Sequence, residues 1–228
     1  MTKTLLRFLL ITAVLSGANQ RVCAADPSHP DQPIVPLAEA ISRLKDGNAR
    51  YTNGKQQHPR QSTKARAELT KSQHPFAIVV GCADSRVPPE IVFDQGLGDL
   101  FVLRVAGNVI DDHSLGSIEY AVDHLAVRLI VVLGHQSCGA VKAAIDTIAA
   151  KSEAPAHIQS LVTAIRPAVE ATVNRDLETT VKANVKDVVQ AVRSSTPVLK
   201  PKVDSGELRV LGAYYSLDTG AVSFLDEK

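Results

Sequence analysis

Phe76-Ala77-Ile78-Val79-Val80-Gly81-Cys82-Ala83-Asp84-Ser85-Arg86-Val87-Pro88 runs from an unbroken apolar stretch straight into a cysteine, an aspartate and an arginine. Five apolar residues without polar alternation predict a strand covered on both faces, as in a parallel sheet. Two further runs have the same character, Leu100-Phe101-Val102-Leu103-Arg104-Val105 and Leu129-Ile130-Val131-Val132-Leu133. Between them Ile118, Ala121, Val122 and Leu125 recur at helical spacing within 115–125, and 140–150 reads as a helix after the third run. Strands alternating with helices predict an α/β fold, a mostly parallel central sheet flanked by helices with right-handed crossovers.

The flanks fit that frame. Leu37, Ala40, Ile41 and Leu44 predict a helix, and 64–71 a second, short one. Residues 156–195 read as two helices. Alternating residues in 207–215 and 221–225, joined by Asp218-Thr219-Gly220, predict an added strand and hairpin at the C-terminal end. No internal repeat or second core is evident, so 37–228 is read as a single domain.

Residues 1–25 read as a secretory signal peptide. Lys3 and Arg7 precede an apolar run from Phe8 to Leu15, and small residues at Ala24 and Ala25 suit cleavage. That run is too short to span the roughly 30 Å of bilayer hydrocarbon. Residues 26–36 form a Pro-rich leader. The mature chain is therefore expected to be periplasmic or secreted, with no membrane span. Removing Lys3, Arg7 and Arg21 leaves 22 of 25 basic residues against 24 acidic ones, so the net charge changes from +1 to −2. With no Trp and few aromatics, neither nucleic acid nor an anionic membrane surface is an expected partner.

Cleavage also removes Cys23 and leaves Cys82 and Cys138. An even cysteine count in an exported chain raises the alternative of a disulfide. Their neighbours point elsewhere. Cys138 lies in Gly134-His135-Gln136-Ser137-Cys138-Gly139, so Cys82, His135 and Cys138 together offer two thiolates and an imidazole. That set suits zinc, and three protein ligands leave a fourth tetrahedral position for water or substrate. Both segments follow apolar strands, and ligand sites of open α/β sheets form at carboxyl ends of strands. Two thiolates cancel the charge of the ion, which acidifies a bound water less than three imidazoles would. Asp84 is placed to accept a hydrogen bond from that oxygen, and Arg86 to keep Asp84 ionised.

Cys-Ala-Asp-Ser-Arg-Val-Pro followed by His-Gln-Ser-Cys-Gly resembles the signature of the β-class carbonic anhydrases. The stretch 94–108 and the closing Gly212-Ala213-Tyr214-Tyr215 resemble that family too, and the likeness extends from about Leu37 to Leu225. The resemblance implies reversible hydration of CO2 to bicarbonate and a proton, by a zinc-bound hydroxide in a homodimer or homotetramer. It implies Cys82, His135 and Cys138 as ligands of one Zn2+ per subunit, and Asp84 with Arg86 as a catalytic dyad. It implies Gln73 and the Gly139 amide as donors to bicarbonate, and Phe101 and Tyr120 as walls of a CO2 pocket built partly by the neighbouring subunit. In some members the aspartate matching Asp84 becomes the fourth metal ligand in a closed state. A Trp of one regulatory bicarbonate site is here Val79, which weighs against that site. Two alternatives stand beside this reading: a COS or CS2 hydrolase of the same architecture, and a non-catalytic zinc-binding homologue. The remaining histidines are scattered, and none is singled out as a proton shuttle.

Overall fold

The computed structural model describes residues 34–225, so the signal peptide expected over 1–25 and most of the leader lie outside the described residues. Pro36 opens α1 (Leu37–Thr52), which buries Ala40, Leu44, Gly47 and Asn48 along one face. The Ser62 side chain caps the short α2 (Thr63–Glu68) by accepting from the Ala65 N–H, and the helix stops three residues earlier than its sequence suggests. Then come β1 (Ala77–Gly81), α3 (Pro89–Val92), β2 (Leu100–Arg104), a single 3-10 turn (Ala106–Asn108) and α4 (Asp112–Asp123), the last capped by Asp111. β3 (Leu129–His135), α5 (Gly139–Ala149), α6 (Ile158–Ala171), α7 (Leu177–Ser194) and α8 (Leu199–Asp204) lead to β4 (Arg209–Tyr215) and β5 (Val222–Phe224).

The strands lie in the order β2-β1-β3-β4-β5. The first four are parallel, and β5 returns antiparallel to β4, which is the expected C-terminal hairpin. The chain leaves β1 for β2 on one side and crosses back to β3 on the other. The carboxyl ends of β1 and β3 therefore border the crevice where the winding direction switches, the place where open α/β sheets bind ligands.

Both faces of the sheet are covered. Ile78, Val80, Ile130, Val132 and Val210 pack under α4, α7 and α8, while Ala77, Val79, Leu129, Val131, Leu133 and Leu211 pack under α1 and the segment around α3. A third cluster joins α5, α6 and α7 to Cys82 and Cys138. β2 departs from expectation. It is an edge strand, and its apolar residues are all only half-buried. An apolar edge with an unpaired backbone is a template for pairing with another chain.

α7 lies against β3 and β4 because two glycines leave room for Val185. A Cβ at Gly134 would come within 2.5 Å of Val185 Cγ2, and one at Gly212 within 2.9 Å of Val185 Cγ1. Val185 is itself fully buried, so it has nowhere to retreat. Gly134→Ala is expected to cost about 1–3 kcal/mol through overpacking. Adding Val185→Ala should recover part of the loss. Urea unfolding midpoints of the three variants check this, and an unchanged midpoint for Gly134→Ala would refute the close contact.

Candidate metal centre

Cys82 follows the last residue of β1, and His135 is the last residue of β3 itself, two residues beyond the strand end read from sequence. β3 extends this far because its pairing with β4 runs on through Gly134↔Tyr214 and His135↔Tyr215. Gly81 of β1 pairs with Leu133, which sets Cys82 alongside the end of β3. Cys138 caps the N-terminus of α5. The ligand atoms of Cys82, His135 and Cys138 all lie within 4.8 Å of one another, and all three residues are buried. Both cysteines are free thiols, so the disulfide alternative is not the arrangement seen.

Donor chemistry supports a metal here. His135 Nδ1 donates to the Gln136 carbonyl at 2.8 Å, which turns the Nε2 lone pair toward the cysteines. Nε2 is buried and has no hydrogen-bond partner, a costly state for an imidazole unless something else occupies that lone pair. Two sulfurs and this nitrogen form the donor set of an open zinc site, with bonds of about 2.0–2.3 Å.

Backbone groups shape the sulfur environment. Gly107 takes φ +71, a conformation natural to glycine, and so aims its N–H at Cys82 Sγ at 3.2 Å. The buried Asn184 side chain holds the Gly107 carbonyl at 2.8 Å. Contact with Cys138, with His135 and with the Asp84 and Gly107 amides draws the Cys82 thiol well below its ordinary value. Cys138 is pushed up by its bond to Cys82 and by burial, although the amides at the start of α5 favour its thiolate. The two sulfurs are thus pushed in opposite directions by their contact with each other. Burial would lower the His135 ring, but the contacts with Cys82 and the Gln136 carbonyl outweigh it and leave it raised. A divalent ion would displace these protons, which couples metal uptake to pH.

Asp84 and Arg86 meet as the sequence suggests. Arg86 Nε and Nη2 bond the two Asp84 carboxylate oxygens at 2.9 and 2.7 Å, and the Arg86 amide adds a third bond at 2.9 Å. This guanidinium holds the Asp84 carboxyl well below the usual carboxylate range. Asp84 Oδ2 also lies 3.9 Å from His135 Nε2, so the carboxylate borders the metal position while being committed to Arg86. It is not one of the three gathered ligands.

Sequence reasoning passed over Arg104. Its Nε donates to the Cys82 carbonyl at 2.9 Å and its Nη2 to the Asp84 carbonyl, so it fixes the backbone that carries both side chains. An arginine ending an apolar strand was the available signal.

The remaining expected residues divide. Gly139 is the first residue of α5, next to Cys138, where backbone N–H groups have no partner within the helix. Gln73 is exposed and precedes β1, so a strand of about 17 Å separates it from Cys82. Phe101 pairs with Ile78, four residues upstream of Cys82, and packs toward α4. Tyr120 on α4 is 41% exposed and stacks on His124. Within one chain, then, the structure does not bring Gln73, Phe101 or Tyr120 to the metal position.

The profile of the family described as carbonic anhydrase matches residues 77–222. A carbonic anhydrase 2 of Mycobacterium tuberculosis is 43% identical over 191 residues, which span 82% of this chain and 92% of that protein. Among solved structures, the β-carbonic anhydrase CcaA aligns with a TM-score of 0.64 at 26% identity, over 82% of this chain and 95% of that one. The β-carbonic anhydrase CafA of Aspergillus fumigatus aligns with a TM-score of 0.64 at 28% identity, over 83% and 90%.

Purified protein is expected to carry a single zinc per chain, and Cys138→Ser to lose most of it while remaining folded. Elemental analysis with circular dichroism checks both points. Full zinc content in the variant would remove Cys138 from the ligand set.

Proposed function

Because this chain belongs to the β-class carbonic anhydrases, whose zinc chemistry is the hydration of CO2, we propose that Asp84 and Arg86 are the catalytic pair that orients the attacking water. The observation that carries the reading is the carboxylate at the border of the metal position, with both of its oxygens bonded by Arg86. Zinc, when bound, acidifies water and so supplies a nucleophile near neutral pH.

The chain's own groups do the positioning. Asp84 is ionised across the working pH range and therefore only accepts hydrogen bonds. A water or hydroxyl bonded to it must direct its proton at Asp84, which leaves a lone pair free for the carbon of CO2. Arg86 prevents Asp84 from taking that proton, and Arg104 fixes the peptide that carries Asp84. The Gly139 N–H at the start of α5 is a preorganised donor for the oxygen that gains charge as bicarbonate forms. COS and CS2 are linear substrates of the same shape, and parallel assays with each gas identify the preferred one.

The site is completed by a second subunit. The apolar edge strand β2 favours association through that edge, and a two-fold pairing would bring the amino-terminal side of one subunit's strands toward the carboxyl ends of its partner's. Gln73, Phe101 and Tyr120 would then act across the interface, Gln73 on bicarbonate and the two rings as walls for CO2. The signal-like residues 1–25 support export to the periplasm or beyond.

Asp84→Asn is expected to keep its zinc and lose about 10²-fold or more of its turnover, the scale of a positioned proton-handling group. Stopped-flow CO2 hydration with parallel metal analysis checks this, and wild-type turnover would remove Asp84 from the mechanism. Co-expressing Asp84→Asn with Gln73→Ala tests the shared site. If Gln73 acts across the interface, mixed dimers hold one doubly defective site and one intact site, which restores about a quarter of all sites under random pairing. Activity no higher than the mean of the two single variants would place Gln73 outside the partner's site.

A further inference from the structure

Gln136 stands between two metal ligands, yet its side chain points away from them, to the turn joining β4 and β5. Its Nε2 donates to Asp218 Oδ2 at 2.6 Å. Its Oε1 accepts from the Asp218 amide at 3.1 Å and from Ser216 Oγ at 3.3 Å. Its own amide donates to the Tyr215 carbonyl at 2.8 Å. Its carbonyl, meanwhile, holds His135 Nδ1. One residue therefore joins the ring of a zinc ligand to a turn 80 positions away in sequence.

That turn has a second anchor on its other side. The buried Asn48 side chain donates to the Gly220 carbonyl at 2.8 Å and accepts from the Val222 amide at 2.8 Å. Asn48 also donates to the Val92 carbonyl, so α1, the end of α3 and the turn form one braced unit. The loop fastened to it is under tension. Ser137, between Gln136 and Cys138, has φ +56, a conformation that non-glycine residues keep only when their surroundings enforce it.

We propose that Gln136 and Asp218 form a latch that positions the zinc ligands: the braced β4–β5 turn grips the Gln136 side chain and thereby sets the His135 ring and the strained 135–138 loop. Both residues are positioning residues and neither touches the reacting atoms. The latch rests on the zinc reading of the site. Released, the loop would relax at Ser137, and His135 and Cys138 would drift from a shared position. Groups that orient metal ligands typically govern about 10–100-fold in metal affinity.

The test swaps donor and acceptor across the pair. Gln136→Glu faces a carboxylate with Asp218 and should weaken zinc binding about 10-fold or more, read by competition with a chelator at fixed pH. Combining Gln136→Glu with Asp218→Asn restores a donor opposite an acceptor and should return zinc affinity to within about 3-fold of wild type. Melting temperatures of the zinc-loaded and zinc-free forms separate positioning from simple support of the turn. A latch shrinks the gap between the two forms, whereas plain support lowers both equally. Asp218→Ala adds no charge and should weaken zinc in the same direction, which keeps the test decisive if Gln136→Glu fails to fold. Unchanged zinc affinity with both melting temperatures lowered in parallel would overturn the proposal, as would a double variant no better than Gln136→Glu. Wild-type protein that takes up no zinc would overturn the zinc reading itself, and that result is seen before any variant is compared.

Discussion

The register between β1 and β3 is the constraint on which the centre depends. Ile78 pairs with Ile130 and Gly81 with Leu133, and that alignment sets Cys82 alongside the last residues of β3. A slip by one residue would move Cys82 by about 3.3 Å relative to His135 and turn alternate side chains to the opposite face. Three ligand atoms that now lie within 4.8 Å of one another could not then share an ion. The register is enforced from both sides of the sheet. Val80 and Val132 must face α7, and Val79 and Val131 must face the α1 side, and all four are buried. Both faces are apolar, so a slip would leave these side chains buried but misfitted against α4, α7 and the α1 side, and overpacking typically costs about 1–3 kcal/mol per site. The apolar core thus specifies the metal geometry without touching the metal.

Around that centre the charges are arranged so that each negative group has a distinct counterpart. The sulfurs share the Gly107 amide and the start of α5, while Asp84 has Arg86. The separation matters because Asp84 Oδ2 is only 3.9 Å from His135 Nε2. A carboxylate that near a divalent ion would compete for its open position. Two bonds from Arg86, with a third from the Arg86 amide, hold it to the side. Arg86 is half-exposed, so the force that retains Asp84 is the two-pronged geometry more than bare Coulomb attraction, which water weakens at an exposed guanidinium.

Much of this was legible in the sequence, for identifiable reasons. β1 and β3 are covered on both faces, and burial on both faces writes itself as an uninterrupted apolar run. The ligands are cysteine and histidine, whose chemistry is read from residue type alone. Less was legible where geometry is carried by backbone. Gly107 acts through an N–H and a positive φ and leaves no mark that distinguishes it from other glycines, while Arg104, which acts through two carbonyls, shows only as a charge ending an apolar strand. β2 has the apolar composition of an interior strand and yet lies at the edge, because composition records that a surface is covered but not by which chain. His135 was read two residues outside its strand because Gly134 interrupts the apolar pattern. The pairing with β4 carries the strand across that glycine, whose missing side chain admits Val185.

The proposed pairing through β2 would account at once for the half-buried edge and for the scattered pocket residues. Gln73 precedes the amino end of β1, whereas Cys82 follows the carboxyl end, and no bending of a five-residue strand in the middle of a sheet can bring the two together. A residue that serves the reaction from that position must serve a different copy of the site. Antiparallel apposition of two copies of β2 runs the sheets in opposite senses, so each subunit's amino-terminal edge approaches the other's carboxyl edge. It also satisfies the unpaired backbone of β2 and covers Leu100, Phe101, Val102 and Leu103, which one chain leaves half-exposed. The apolar surface that would drive association and the apolar surface that would receive CO2 are then neighbouring parts of one interface. Under that pairing substrate binding would depend on assembly, whereas the three metal ligands, at the ends of β1 and β3 and the start of α5, gather within a single chain.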